Sequence, residues 1–260
     1  MNKSYKNRPT YKQVLKRMFS LVEDTASHDE IRNRILSGGQ ITGTNMVVMV
    51  CAIVIASVGL NTDSIAVIIG AMLISPLMGS ILAIAFGTAS NDGDLAMKHA
   101  LGFIMQIIFS VAAATIYFLL SPVKDPTDQI IARTHPGFFD VLIATFGGIA
   151  GIVGQTRSEK FNNIIPGVAI ATALMPPLCT CGFSIANGEW KMLAGAAYLF
   201  AINAYFIYMS ACIVLALLKI PRVNELDAKG WKKLKRKMVR NTLLVLLPMV
   251  AIFVHMIMTQ

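Results

Sequence analysis

Seven long apolar stretches alternate with short polar segments along the chain. They run over 41–60, 64–88, 95–120, 137–155, 164–186, 192–218 and 241–258. Each has the length of about 18 or more residues that a helix needs to cross a lipid bilayer. Composition agrees, because 55% of the 260 residues are hydrophobic and only 14% are charged. The pattern predicts an all-α integral membrane protein with about seven transmembrane helices.

Two of these stretches, the second and the fifth, contain a proline followed by a leucine near the middle. Pro76 follows Ser75, and Pro177 follows Pro176. A proline inside a helix removes a backbone hydrogen bond and clashes with the preceding turn, at a cost of roughly 3 kcal/mol. We therefore predict a broken helix at each site. Breaks of this kind in corresponding positions of two halves are typical of transporters.

The two proline segments belong to a longer internal repeat. At an offset of 101 residues the matched pairs are Asn61/Asn162, Val67/Val168, Ile69/Ile170, Leu73/Leu174, Pro76/Pro177, Leu77/Leu178, Ile84/Ile185 and Ala85/Ala186. In the following spans an offset of 97 pairs Ala100/Ala197, Phe103/Phe200, Gln106/Asn203 and Ala114/Ala211. The preceding spans match weakly, at Asn45/Asp140 and Gly59/Gly154. We interpret spans one to three and four to six as two three-helix repeats.

The orientation of the repeats depends on how the proline segments cross the bilayer. If each repeat has three crossings, the second enters from the opposite side and the repeats are inverted. If the proline segments are re-entrant hairpins, each repeat has two crossings and the repeats are parallel. Segment lengths favour the crossing arrangement, because about 25 helical residues span the bilayer even with a break.

The polar segments complete the predicted organisation. Residues 1–40 form a cytoplasmic basic amphipathic segment, in which the spacing of Ser27 and Glu30 predicts a helix start and Gly38 with Gly39 predicts its end. Repeat 1 covers 41–120, a connecting loop 121–136 and repeat 2 137–218. A cytoplasmic basic loop over 219–240 precedes an additional C-terminal transmembrane helix at 241–260.

The net charge of +9 is distributed according to membrane topology. With seven crossings and a cytoplasmic N-terminus, 20 of the 23 lysines and arginines lie inside, and Lys124, Arg133 and Lys191 lie outside. Such an excess orients a membrane protein, so we expect anionic lipids, and no nucleic acid, as partners of the basic segments. The prediction is a multi-pass protein of the cell membrane.

The candidate substrate or ion site lies at the paired breaks. A broken helix exposes unpaired N–H groups and carbonyls that can contact a solute, and Gln106 and Asn203 are the deep carboxamides nearby. The predicted site residues are Ser75, Pro76, Gly79, Ser80, Gln106, Pro176, Pro177, Cys179, Thr180 and Asn203. We predict a transporter or channel for a small solute or ion.

Other functions receive less support from the sequence. There is no catalytic motif or metal-ligand spacing in the chain, so we predict no enzyme, cofactor or metal. Cys179 and Cys181 near Met175 have the chemistry of a Cu(I) site, but cysteine and methionine side chains also commonly pack as apolar groups in protein cores. The alternative is a non-transporting scaffold whose broken helices fit a tight bundle. Gly147, Gly148, Gly151 and Gly154 form a close-packing face, which predicts a close helix contact and is also compatible with a homo-oligomer.

The segments around both prolines resemble a known family. Gly59–Asn61, Ala66–Gly79 and Asn163–Cys179 are similar to signature blocks of the DUF389 family of uncharacterised hydrophobic membrane proteins. The resemblance covers roughly 40–220 and implies a prokaryotic cell membrane protein. It implies no activity.

Overall fold

The computed structural model describes residues 25–158, 167–223 and 239–247, and the single positions 11, 230 and 236. Side chains at 167–173 are outside this description. The helices are α1 His28–Gly38, α2 Gly43–Asn61, α3 Ile65–Leu73, α4 Leu77–Ala89, α5 Gly93–Leu120, α6 Asp128–Ile131, α7 Phe138–Thr156, α8 Gly167–Asn187 and α9 Trp190–Leu217. Within the described residues there is no strand, and Thr25 and Arg157 form one isolated bridge.

The predicted apolar spans correspond to these helices. Four of them, α2, α5, α7 and α9, are individually long and apolar enough to cross a membrane, and the bent pair α3 and α4 makes a fifth. Residues 239–247 are helical, and the rest of the predicted C-terminal span lies outside the described residues. The same is true of most of the basic segments at 1–40 and 219–240. The all-α class is confirmed.

The first predicted break is present. α3 ends at Leu73 and α4 begins at Leu77, with Pro76 as its N-cap residue. Between them, the N–H groups of Ile74 and Ser75 donate to the carbonyls of Ala71 and Met72, three residues back. The axes of the two helices differ by 48°, so α4 continues in the general direction of α3.

The second predicted break is absent, which corrects the prediction at Pro177. α8 is one helix from Gly167 to Asn187, with Pro176 and Pro177 inside it. The two prolines together remove only two donors from a single turn, and every residue from Leu174 to Ser184 is buried. Packing on all sides therefore holds this helix together, whereas the chain at Pro76 is only half-buried.

The directions of the helices follow from contacts at their ends. α2 and α5 run in the same direction, because Ile41 lies at Gly102 and the Asn61 amide donates to Ser121 Oγ at 2.6 Å. α7 and α9 also run in the same direction, because a side chain at Gly195 would meet Thr134 and one at Gly148 would meet Ser210.

α3 and α4 run alongside α9. Ile68 of α3 lies near Leu199 and Asn203. Further along both chains, Cys212 Sγ lies 3.7 Å from the Ala85 carbonyl oxygen, and Val223 N donates to Ser90 O at 2.8 Å. The break therefore lies in the middle of a helical segment, α3 and α4, that runs alongside α9 over its length.

Helices α2 to α5 are called the first unit below, and α7 to α9 the second unit. The short helix α1 contacts both units at one end of the bundle. Ser27 Oγ accepts from Glu30 N, and Gly39 ends the helix, as the sequence predicts. Ala26 N donates to Thr156 O at 2.9 Å, at the end of α7. The other end of α1 packs its backbone against Gly79. α1 therefore contacts the end of one unit and the break of the other.

Candidate functional site

A cavity of about 170 Å³ lies between the first unit and the second. It is at the end of the bundle where α2 finishes and α7 begins. Helices α3, α8 and α9 form its walls, and the connecting segment with the start of α7 forms its mouth. The lining residues are Ile65, Ile68, Ile69, Met72, Gln129, Arg133, Asp140, Ile143, Pro177, Leu199 and Asn203.

The deep wall of the cavity contains two predicted site residues. Pro177 and Asn203 both line it, and Asn203 is 97% buried. From the first unit the cavity reaches Met72, four positions before Pro76, but Pro76 does not line it. The cavity therefore reaches the proline segment of α8 but not the break at Pro76.

The mouth of the cavity is polar and charged. Arg133 Nε is buried and has no hydrogen-bond partner among the described residues. Asp140 Oδ2 accepts from Gly137 N at 2.8 Å, which fixes the carboxylate at the first turn of α7. Both side chains line the cavity, yet they do not form an ion pair with each other; within the described ranges the ion pair found is that of Arg34 and Glu30. The cavity therefore holds one positive and one negative group that are available to a guest.

The segment that carries Arg133 is fixed to the helix ends around it. Thr127 Oγ1 donates to the Leu60 carbonyl at 2.7 Å, and Gln129 N donates to Asp63 Oδ1 at 3.2 Å. Asp63 has φ of 52°, a left-handed conformation that turns the chain sharply between α2 and α3. These bonds hold Gln129 and Arg133 over the start of α3.

Two predicted site residues from the first unit pair with each other. Ser80 Oγ donates to Gln106 Oε1 at 2.9 Å, and both side chains are fully or almost fully buried. Gly79, next to them, packs so closely on α1 that a side chain would overlap the Gly38 carbonyl. This part of the predicted site is therefore closed by protein contacts.

The remaining predicted residues are the half-buried Ser75 and the buried Pro176, Cys179 and Thr180. Ser75 Oγ and Thr180 Oγ1 are buried and have no hydrogen-bond partner among the described residues. Cys179 is fully buried with its Sγ 3.8 Å from the Ile53 carbonyl. Pro176 is buried within α8. None of these four side chains lines the cavity.

Sequence reasoning missed Gln129, Arg133 and Asp140 as site residues. Their position depends on a fold-back of the connecting segment over α3, which no local pattern encodes. One signal was available: Arg133 is one of only three basic residues that the charge pattern assigns to the predicted outer side, where lysine and arginine are not required to orient the protein. No group of three or more His, Cys, Asp or Glu side chains capable of holding a metal occurs in the part of the chain that the structure describes.

The family resemblance is confirmed by comparison with known proteins. The chain matches the family described as "Domain of unknown function (DUF389)" over residues 72–209, a segment that contains both proline sites and most of the cavity wall. The chain belongs to this family. It is also 28% identical, over 226 residues, to the uncharacterized protein MJ0678 of Methanocaldococcus jannaschii, covering 87% of this chain and 68% of that protein. No solved structure matches the chain.

Proposed function

We propose that the protein is a transporter or channel for a small solute, with its site in the cavity between α3, α8 and α9. The main observation in support of this proposal is a cavity of about 170 Å³ with a charged mouth, which lies between two units of an apolar helical bundle. Polar groups within a membrane domain are costly and usually mark a substrate path. A bundle serving only as structure has no need of charged groups of both signs in the lining of a cavity.

We further propose that the two units are inverted repeats. In support, α2 and α5 share one direction while α7 and α9 share the direction of α3 and α4. Residues related by an inverted repeat meet where its pseudo-twofold axis passes. Phe103 and Phe200, which the repeat alignment pairs, stack with ring centroids 5.9 Å apart.

The distribution of basic residues indicates which side of the membrane the cavity mouth faces. The excess of lysine and arginine in the terminal and connecting segments favours a cytoplasmic N-terminus in a cell membrane. The cavity mouth at Arg133 then faces outward. On the opposite side, α1 joins the end of α7 to the break at Gly79, and we propose that it closes the path to the cytoplasm.

The bend at Pro76 is the natural hinge for such a path. Ser75 has a buried hydroxyl without a partner among the described residues. The backbone hydrogen bonds around it join residues three positions apart, whereas those of an α-helix join residues four apart. A segment with weakened backbone bonding can change its angle at low cost compared with an intact helix. Opening toward the cytoplasm would then involve movement of α4 away from Gly38.

A scaffold role is the second candidate, supported by the dry packing of residues 174–184 and of Gly79. The two roles differ in flux. Purified protein in liposomes should accelerate entry of at least one radiolabelled solute from a set spanning charge types, namely glycerol, inorganic phosphate, choline and β-alanine. Protein-free liposomes are the control. Entry of none of the four above the control would contradict the transport proposal and favour the scaffold.

A further inference from the structure

The charged mouth of the cavity identifies the class of solute, on the assumption that the proposed transport function is right. Arg133 and Asp140 line the same cavity without pairing. A guanidinium whose Nε is buried without a partner retains a desolvation cost that a carboxylate can offset through charge-assisted hydrogen bonds. An ammonium group is the corresponding partner of Asp140.

A guest with only one charge would satisfy only one of these groups. An anion would pair with Arg133 and leave Asp140 facing it within one small cavity, where like charges repel. A cation would pair with Asp140 and face Arg133. A neutral solute would offer neither group an opposite charge. The arrangement favours a guest that carries both charges.

The size of the cavity limits the guest further. Its volume of about 170 Å³ is roughly six times the volume of about 30 Å³ that a water molecule occupies in the liquid. A solute with about six non-hydrogen atoms therefore fits. The walls beyond the charges are Ile65, Ile68, Ile69, Ile143 and Leu199, which suit a short hydrocarbon linker.

We propose that the cavity binds a small zwitterion of the size of a three-carbon amino acid. Arg133 receives the carboxylate, and Asp140 receives the ammonium group. Asn203 and Gln129, which also line the cavity, provide carboxamide groups that complete the polar contacts. The site recognises the pair of charges and excludes solutes that carry one of them alone.

The test compares three solutes that share a three-carbon chain: β-alanine with both charges, 3-hydroxypropionate with the negative charge, and 3-amino-1-propanol with the positive charge. Each is supplied radiolabelled to proteoliposomes containing the full chain, and entry into protein-free liposomes is subtracted. We expect β-alanine to enter at least tenfold faster than the other two. Comparable or faster entry of 3-hydroxypropionate or 3-amino-1-propanol would overturn the proposal.

Two substitutions assign the charges. Asp140→Asn keeps an oxygen that can accept from Gly137 N but removes the charge, and Arg133→Gln removes the other charge. Each should lower β-alanine entry about tenfold or more, as expected for a lost charge-assisted contact. Asp140→Asn should also shift preference to 3-hydroxypropionate, and Arg133→Gln to 3-amino-1-propanol. Unchanged preference in both variants would overturn the assignment.

Controls separate the possible failures. Asp125→Asn and Lys191→Gln remove exposed charges that do not line the cavity and should retain wild-type rates. Should either site variant fail to fold, protection of a Leu199→Cys thiol by millimolar β-alanine, but not by 3-hydroxypropionate, tests the site with both charges intact. Entry of glycerol, phosphate or choline without β-alanine would refute the zwitterion and leave transport standing, whereas entry of no solute would refute both.

Discussion

Phe103 and Phe200 stack with their ring centroids 5.9 Å apart and their planes inclined by 22°. An offset of 97 residues in the sequence pairs them, and they lie three residues before Gln106 and Asn203 respectively. The ring pair therefore joins α5 to α9 at the proposed pseudo-twofold axis, near both the closed polar pair of Ser80 and Gln106 and the cavity residue Asn203.

This stacking should appear as an energetic coupling between the two residues. Phe103→Ala and Phe200→Ala should each lower the free energy of unfolding. The loss in the double variant should be smaller than the sum of the two single losses by about 0.5–1.5 kcal/mol, the range for aromatic pairs. Thermal or denaturant unfolding of the wild type, the two single variants and the double variant in detergent measures these free energies. Phe138 and Phe139 are exposed neighbours, so Phe139→Ala is the control and should have little effect. A coupling of zero would contradict direct stacking.

The pair of Ser80 and Gln106 makes a second coupling. Ser80→Ala leaves Gln106 Oε1 buried without its donor and should cost about 1–3 kcal/mol. Ser80→Ala combined with Gln106→Leu removes both polar groups and should be less destabilising than the two single changes added together. Unfolding of the four proteins in one detergent is the measurement. Strict additivity would show that the bond contributes nothing.

Because α1 packs closely on the break, the addition of one methyl group at Gly79 should lower the stability of the protein. Gly79→Ala places a side chain where the Gly38 carbonyl lies, and overpacking of this kind costs about 1–3 kcal/mol. The variant should unfold at lower temperature. Gly70→Ala is the matched control on α3, because no atom lies within 4 Å of the added carbon, and its stability should be equal or slightly higher. Equal stability of the two variants would contradict the α1 contact.

The two prolines should behave differently when replaced. Pro177→Ala restores an N–H donor to a helix that is already continuous, so its stability should be unchanged or higher. Pro76→Ala allows the chain at the break to become helical and should slow solute entry into proteoliposomes while leaving the protein folded. Pro122, in the exposed loop, provides the control Pro122→Ala, which should have no effect on flux. Equal loss of flux at Pro76 and Pro122 would argue against a hinge.

The sequence predicted the helices well and the site only in part. Apolar runs locate helix ends within a few residues, as 137–155 against Phe138–Thr156 illustrates, because burial in lipid depends on local composition. Proline chemistry alone could not distinguish Pro76 from Pro177, since the outcome depends on how tightly neighbouring helices enclose the turn. The pairing of Ser80 with Gln106 and the presence of Arg133 and Asn203 in one cavity depend on tertiary packing, which no local pattern contains.

The most direct measurement is the chemical accessibility of a thiol in the wall of the cavity. In a Cys51→Ala background, Leu199→Cys and Ile202→Cys place thiols on the same helix at two buried positions, of which only Leu199 lines the cavity. A small, membrane-impermeant methanethiosulfonate is added to folded protein in liposomes. We predict modification of Leu199→Cys, and none of Ile202→Cys or of the buried native Cys179. Equal resistance of Leu199→Cys and Ile202→Cys would mean that water does not reach the cavity, and would contradict a solute path through it.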